Sequence, residues 1–188
     1  MSIGSHFAQS RIARLVKPLE ERDHVLGPPD APVTLIEYGD YQCPFCGQAH
    51  WIVKSLRERL GDRLRFAYRH FPLAELHPRA VRAAESAEAA GAQGQFWDMH
   101  DTLFEHQDGL DDPDLLAYAK DLGLDVPRFV SELASGVHEG KVQGDFISGV
   151  RSGVNGTPSF FINGVRHDGP WDLDSLTRAC IAAAAVQV

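Results

Sequence analysis

The chain has 188 residues, of which 44% are hydrophobic and 23% are charged, so it can form one domain with a substantial core. Its 18 basic and 26 acidic side chains give a formal net charge of −8, which argues against a general binder of nucleic acids or anionic membranes. Three cysteines are too few for a disulfide framework, and we see no segment with the length and hydropathy of a membrane span.

Residues 1–22 are interpreted as a leader outside the main fold, with a short amphipathic helix expected from Arg11 to Val16. The leader shows neither the apolar segment nor the small-residue cleavage site of a secretory signal peptide. A cytoplasmic location is therefore expected, and a periplasmic location is the alternative if a signal has been removed. The sequence leaves open whether the leader is a free tail or a docking arm.

The predicted fold begins with a short edge strand from Asp23 to Leu26, followed by a turn rich in proline. The apolar, β-branched run from Val33 to Gly39 then predicts a central strand. A helix is expected to begin at Pro44, because proline suits the first helical position, and to end before Gly61. Its apolar residues recur at helical spacing: Phe45, Ala49, Ile52, Val53, Leu56 and Leu60.

Cys43 and Cys46 stand two residues apart at the beginning of this helix. The spacing predicts that Cys43 caps the helix and faces solvent, whereas Cys46 lies one turn inside. Unpaired N–H groups and the positive end of the helix dipole favour the thiolate of Cys43, and Cys46 is close enough to resolve a mixed disulfide. The same motif also binds zinc, with His50 as a third ligand, but the sequence has no second Cys/His pair to complete a structural site. We therefore favour a redox pair over a metal site.

Glu37 lies six residues before Cys43, on the apolar strand that is predicted to run beneath the helix. Burial there would make its carboxyl group hold a proton more tightly. We interpret Glu37 as the proton acceptor for Cys46. The alternative is an edge position, at which the carboxylate points to water.

Alternating apolar and polar residues from Leu64 to His70 predict a second main strand, joined to the first by a right-handed parallel crossover. Residues 74–151 then contain five helical patterns with no strand among them, which indicates an inserted all-helical subdomain. An Asn-Gly turn between Thr157 and His167 predicts a hairpin, and a last helix follows from Asp172.

Other polar side chains receive structural interpretations. His100 lies on an apolar helix face and is expected to be a core histidine, and Cys180 is expected to be buried and unreactive. His70 and His77 flank the end of the second strand, from which one of them could tune the protonation of the sulfurs. A basic run is expected to form a solvated face: Arg57, Arg59, Arg63, Arg65 and Arg69.

Two motifs together resemble a known family: Cys43-Pro44-Phe45-Cys46 at a strand–helix turn and Gly156-Thr157-Pro158 just before the hairpin. They are similar to motifs of the thioredoxin-like superfamily, and the long helical insertion resembles its DsbA-type branch. The resemblance implies an α/β, thioredoxin-like fold, in which helices flank a central mixed sheet. The segments are then a thioredoxin-like domain of residues 23–73 and 152–188 and a helical subdomain of residues 74–151.

The resemblance also implies a role for each matching position. Cys43 would be the nucleophile, Cys46 the resolving cysteine, and Glu37 the buried acid beneath the pair. Pro158 would be a cis-proline that faces the disulfide, and the backbone of Thr157 would pair with an extended substrate peptide. Two residues between the cysteines are further candidates for substrate contact: Pro44 and Phe45.

We therefore expect a thiol–disulfide oxidoreductase that exchanges disulfides with cysteine-containing proteins or peptides and needs no organic cofactor or metal. An unidentified redox-recycling partner is expected, without nucleic acid binding or membrane insertion. Phe45 stands where strongly oxidising members often have histidine, which predicts a less stabilised thiolate and a weaker oxidant. Thr157 in place of valine occurs also in isomerase- and reductase-like members.

Two alternatives come from other classes of protein. The first is a glutathione-dependent transferase or isomerase on the same scaffold, in which Cys46 would be idle. The second is a non-enzymatic metal- or partner-binding module, in which the thiols hold a metal ion.

Overall fold

The computed structural model describes residues 13–186, in which five strands form one mixed sheet. The strands are β1 (His24–Leu26), β2 (Val33–Gly39), β3 (Leu64–His70), β4 (Ser159–Ile162) and β5 (Val165–His167). Their order in the sheet is β1-β3-β2-β4-β5, with β2 and β3 parallel and the other pairs antiparallel. The expected edge strand, central strand, parallel crossover and hairpin are therefore confirmed.

Seven helices in the same residues flank this sheet. They are α1 (Pro44–Leu60), α2 (Ala80–Gly91), α3 (Phe96–Glu105), α4 (Asp112–Asp121), α5 (Val126–Ser135), α6 (Glu139–Arg151) and α7 (Leu173–Ala185). No strand lies between β3 and β4, a stretch that is fully described, so the expected succession of helices is confirmed. Within residues 13–186, none of the helices combines the length and the hydropathy that crossing a bilayer requires.

The two faces of β2 contribute to different cores, because successive side chains of a strand point in opposite directions. Leu35 packs with residues of α1, α7 and the helical insertion. Ile36 and Tyr38 pack on the other face, where Phe71 stacks on Phe146 of α6 with ring centroids 4.5 Å apart. Glu37 has the same orientation as Leu35, so the fold directs its carboxyl group towards α1.

The leader differs from its prediction. Arg14 forms an antiparallel bridge with Val165 of β5, and the backbone N–H of Leu15 donates to the carbonyl oxygen of Gly164 at 2.9 Å. The helix expected in this segment is therefore wrong for its described part, and residues 11–12 lie outside the described residues. The physical reason is that the edge strand β5 offers free backbone groups, with which the leader pairs as a docking arm.

The basic run is not a uniformly solvated face, because Arg69 is only 1% exposed. Its guanidinium donates to both carboxylate oxygens of Asp23, at 2.9 and 2.7 Å. It also donates to the carbonyl oxygens of Lys17 and Pro18, at 2.8 Å each. The expectation for Arg69 was wrong because the leader covers this side of the sheet, which strand periodicity does not reveal.

We expect Arg69→Met to lower the free energy of unfolding by about 3–5 kcal/mol, because Asp23 would remain buried without its counter-ion. Urea denaturation followed by circular dichroism at neutral pH measures the change. Arg63→Met is the matched control, because Arg63 is exposed just before β3 and its loss should change stability by less than about 0.5 kcal/mol. Equal effects of the two substitutions would contradict the buried ion pair.

Candidate redox-active site

Cys43 is the N-cap residue of α1, and Cys46 lies within the first turn of the helix. Pro44 occupies the first helical position, as the sequence predicts. The carbonyl oxygen of Cys43 accepts from the backbone N–H of Gly47 at 3.1 Å, so the helix begins directly at the cysteine pair. Both sulfurs are free thiols.

Cys43 is much less accessible than the sequence indicates, since only 4% of its surface is exposed. Its Sγ lies 3.5 Å from the carbonyl oxygen of Thr157, to which the thiol can donate. The prediction that Cys43 faces solvent was therefore wrong. The physical reason is tertiary: a loop 114 residues away in the chain packs over the start of the helix.

The two thiols differ strongly in acidity. A hydrogen bond from the Cys46 thiol, aided by backbone N–H groups at the helix start, lowers the pKa of Cys43 to about 5, although burial acts in the opposite direction. Burial raises the pKa of Cys46 well above its usual value, and its hydrogen bond to Cys43 adds to this effect. At neutral pH Cys43 is therefore the thiolate, which is the attacking form, and Cys46 keeps its proton.

Glu37 lies in the centre of the sheet, between Tyr68 of β3 and Phe160 of β4, and is 2% exposed. The edge position considered as an alternative is therefore excluded. Burial, together with the nearby charge of Cys43, raises the pKa of Glu37 to about 8, and its Oε1 has no hydrogen-bond partner. Glu37 also lines a cavity of ≈ 10 Å³, which is about the space that one water molecule needs.

The segment before β4 completes the site. The peptide bond between Thr157 and Pro158 is cis, and β4 begins at the next residue, beside the C-terminal half of β2. Pro44 and Phe45 are both exposed at the helix start. Every residue named for the site from the sequence thus lies on β2, at the start of α1 or in this segment, whereas the roles of these residues stay predictions.

Asp40 is buried beside Cys46 and was not predicted from the sequence as a site residue. Its backbone N–H points at Cys46 Sγ, 3.5 Å away. Its carboxylate accepts from the backbone N–H groups of Gln42 and Leu73 and from His77 Nδ1, each at 2.8 Å. An aspartate that accepts from the N–H group two residues later is a known signal of an ordered loop, and this signal could have identified Asp40.

Gln107, which follows α3 in the helical insertion, was also missed. Its Nε2 donates to the carbonyl oxygens of Tyr41 and Cys43, at 2.8 and 2.9 Å. The insertion therefore holds the loop that carries the nucleophile. A single glutamine in a helical region produces no pattern from which this contact could have been predicted.

The other singled-out side chains have clear positions. His77 contacts the active-site loop through Asp40, whereas His70 Nε2 bonds Glu88 at 2.8 Å. His100 is buried, as expected, with its Nδ1 3.0 Å from the hydroxyl of Tyr41. Cys180 is also buried, and burial raises its pKa to about 11, which agrees with the expected unreactive thiol.

His50 does not join the cysteines. Its Nε2 lies 3.7 Å from a carboxylate oxygen of Glu105 and 4.0 Å from one of Asp101, both on α3. Over residues 13–186, the only group of three or more closely spaced metal-ligating side chains contains neither cysteine. The zinc alternative at the cysteine pair thus gains no third ligand from the described part of the chain.

The fold and the site together define a class of protein. A Cys-x-x-Cys pair begins the helix after the central strand, an acid is buried beneath the pair, and a helical insertion separates β3 from β4 along the chain. This is a thioredoxin-like protein with the architecture of the DsbA type.

Comparison with known proteins agrees with this class. A family model described as Thioredoxin matches residues 19–181. The chain therefore belongs to the thioredoxin family.

Solved structures resemble most of the chain. A thioredoxin-like oxidoreductase from Silicibacter pomeroyi DSS-3 superposes with a TM-score of 0.76 and 27% identity, covering 88% of this chain and 94% of that one. Oxidised BdbD from Bacillus subtilis superposes with a TM-score of 0.81 and 24% identity, covering 93% and 100% of the two chains. The shared fold thus includes the helical insertion.

Two curated relatives are longer proteins. The chain is 47% identical over 181 residues to Na(+)/H(+) antiporter NhaA 3 of Salinispora tropica, and the match covers 95% of this chain and 27% of that protein. It is also 47% identical over 170 residues to Na(+)/H(+) antiporter NhaA 1 of Mycobacterium sp. strain KMS, which covers 88% and 27%. The chain therefore spans about a quarter of the length of these relatives.

Proposed function

We propose that the chain is a thiol–disulfide oxidoreductase that acts on cysteine-containing proteins or peptides. One observation carries the proposal: Cys43, whose pKa is lowered to about 5, lies beside Cys46, whose pKa is raised by burial. The first sulfur is prepared to attack a disulfide. The second keeps its proton until it displaces the bound substrate.

Reduction of a substrate begins when the Cys43 thiolate attacks one sulfur of the substrate disulfide. The substrate S–S bond breaks, a mixed disulfide with Cys43 forms, and the other substrate sulfur leaves as a thiolate. The mixed disulfide removes the Cys43 charge that helps to raise the pKa of Glu37, so Glu37 can release its proton to solvent. The Glu37 carboxylate then takes the proton of Cys46, which attacks the Cys43 sulfur and releases the remaining substrate sulfur as a thiolate. Two electrons thus pass from the cysteine pair to the substrate, and oxidation of a substrate dithiol follows the same steps in reverse.

Glu37 is suited to this proton transfer because its pKa of about 8 lies near the pH at which a base must accept and release a proton. The small cavity that Glu37 lines also reaches Asp101, whose side chain is partly exposed. A proton taken up by Glu37 therefore has a short path to solvent.

Substrate binding follows from the surface around Cys43. In this proposal an extended substrate peptide pairs as an added strand with the backbone of Thr157, whose carbonyl oxygen lies 3.5 Å from Cys43 Sγ and which precedes the cis-proline Pro158. The exposed Pro44 and Phe45 supply an apolar contact.

No organic cofactor takes part in any step. The weak oxidising power inferred from Phe45, the recycling partner and the cytoplasmic location stay predictions.

The substitution Cys46→Ser tests the two-step exchange. Incubated with a disulfide-bonded peptide, this variant should accumulate a covalent adduct on Cys43, because the attack proceeds and no sulfur resolves the product. Non-reducing electrophoresis and mass spectrometry measure the adduct. The double variant Cys43→Ser/Cys46→Ser is the control and should form none. Full transfer activity with glutathione and no trapped adduct would instead favour the glutathione-dependent transferase.

A further inference from the structure

A second cluster of side chains, all of types that bind metal ions, lies between α1 and α3 and includes neither cysteine of the redox pair. His50 projects from α1, while His100, Asp101 and Glu105 project from α3. One ligand atom each from His50, His100 and Asp101 lies within 4.8 Å of the other two. Glu105 adds a fourth, since its carboxylate oxygen is 3.7 Å from His50 Nε2.

One of the two buried histidines of this cluster, His50, has a ring nitrogen without a hydrogen-bond partner. His50 is only 4% exposed, and its Nε2 makes no hydrogen bond. The nearest carboxylate oxygens, at 3.7 Å on Glu105 and 4.0 Å on Asp101, are too distant to accept one. Buried polar atoms without a partner are rare and call for an explanation, of which an ion is one.

The spacing fits ligands that surround a common cation. Two ligands of a tetrahedral zinc ion, each about 2.0–2.1 Å from the metal, lie about 3.4 Å apart, so small side-chain movements would close this cluster. Tyr41 holds Nδ1 of His100 at 3.0 Å, which leaves Nε2 for a metal.

Lys54 shows that the two carboxylates already attract positive charge. Its Nζ lies 3.0 Å from Asp101 and 3.1 Å from Glu105. The lysine side chain is partly exposed and flexible, so a divalent ion can displace it into solvent. The single positive charge of the lysine ammonium group balances only one of the two carboxylate charges. A divalent ion would balance both.

We propose that His50, His100, Asp101 and Glu105 form a binding site for a divalent transition metal of the zinc class, which joins α1 to the helical insertion. Two imidazoles with two carboxylates suit zinc, copper, nickel or cobalt, whereas magnesium and calcium prefer oxygen ligands alone. The mouth of the site is accessible, because Asp101 and Glu105 are partly exposed.

The test uses Zn²⁺ and Co²⁺ with the oxidised protein, in which Cys43 and Cys46 are joined and cannot bind metal. We expect one Co²⁺ per chain, with visible absorption bands and no thiolate-to-cobalt charge-transfer band. Zn²⁺ should compete with Co²⁺ and raise the melting temperature, because it binds only the folded state. Calorimetry with Zn²⁺ gives the affinity.

Variants identify the ligands. His50→Gln and Asp101→Asn should each weaken Zn²⁺ binding at least about tenfold, and Asp101 is exposed enough for its variant to fold. Lys54→Met should tighten binding several-fold, because it removes the competing ammonium group. His106→Gln is the matched control, since this exposed histidine follows α3 and its loss should change nothing.

Three results would overturn the proposal: equal Zn²⁺ affinity in wild type and His50→Gln, no tightening in Lys54→Met, or a cobalt spectrum with thiolate bands. Since the cysteines are oxidised throughout, none of these results depends on the disulfide exchange proposed above. If the protein proved to have no disulfide-exchange activity, the metal-binding proposal would be unaffected.

Discussion

Cys43→Ser should abolish disulfide reduction, with a loss of at least about a thousandfold in the rate of insulin reduction. The serine hydroxyl stays protonated at neutral pH and cannot form a disulfide. The wild-type Cys43 thiol, in contrast, has a pKa lowered to about 5 and is ionised over the whole physiological range. The assay follows the turbidity of reduced insulin in the presence of dithiothreitol.

Cys180→Ala is the control for this experiment, because Cys180 is a thiol of the same chain that is buried in α7 and has a pKa raised to about 11. We expect this variant to retain the activity of the wild type, with folding checked by circular dichroism. Retained activity in Cys43→Ser, or an equal loss in folded Cys180→Ala, would contradict the assignment of the nucleophile.

The substitution Glu37→Gln should stabilise the reduced protein at alkaline pH. The folded protein keeps the Glu37 proton up to pH about 8, whereas an unfolded chain releases it near 4.5. Between these values the unfolded state binds fewer protons, so the wild-type free energy of unfolding falls as the pH rises. The gap between the folded and unfolded pKa values lowers the wild-type free energy of unfolding by about 3–5 kcal/mol at pH 8 and above. Glutamine does not ionise, so the Glu37→Gln variant avoids this loss.

Urea denaturation of the reduced proteins between pH 4 and pH 9 measures this effect. The gain in Glu37→Gln should be small at pH 4 and largest at pH 8 and above. Glu58→Gln, which changes an exposed carboxylate on α1, is the control and should follow the wild-type curve. Parallel curves for wild type and Glu37→Gln would show that Glu37 is already ionised in the folded state.

The same variant should slow the second step of exchange. Without the Glu37 carboxylate, Cys46 must lose its proton to water from a buried position, where its pKa is raised well above the usual value. Rapid-quench measurement of the mixed disulfide should therefore show slower release in Glu37→Gln, while the first attack by Cys43 is less affected.

The secondary structure of this protein was determined largely by local sequence. The run from Val33 to Gly39 has the composition of a buried strand, Pro44 and Gly61 mark the ends of α1, and an Asn-Gly pair turns the hairpin. These signals are local because backbone propensity, helix ends and turns depend on residues only a few positions apart. The cysteine pair and the acid beneath it were predictable for the same reason, since both flank one strand–helix turn.

Tertiary packing alone decided how these residues are covered and charged. The Thr157 segment shields Cys43, the insertion holds its loop through Gln107, and the leader buries Arg69. None of these contacts leaves a periodic pattern, because the partners are far apart in the chain. Burial and neighbouring charges set each pKa, so the acidity of Cys43 and the basicity of Glu37 exist only once the chain has folded.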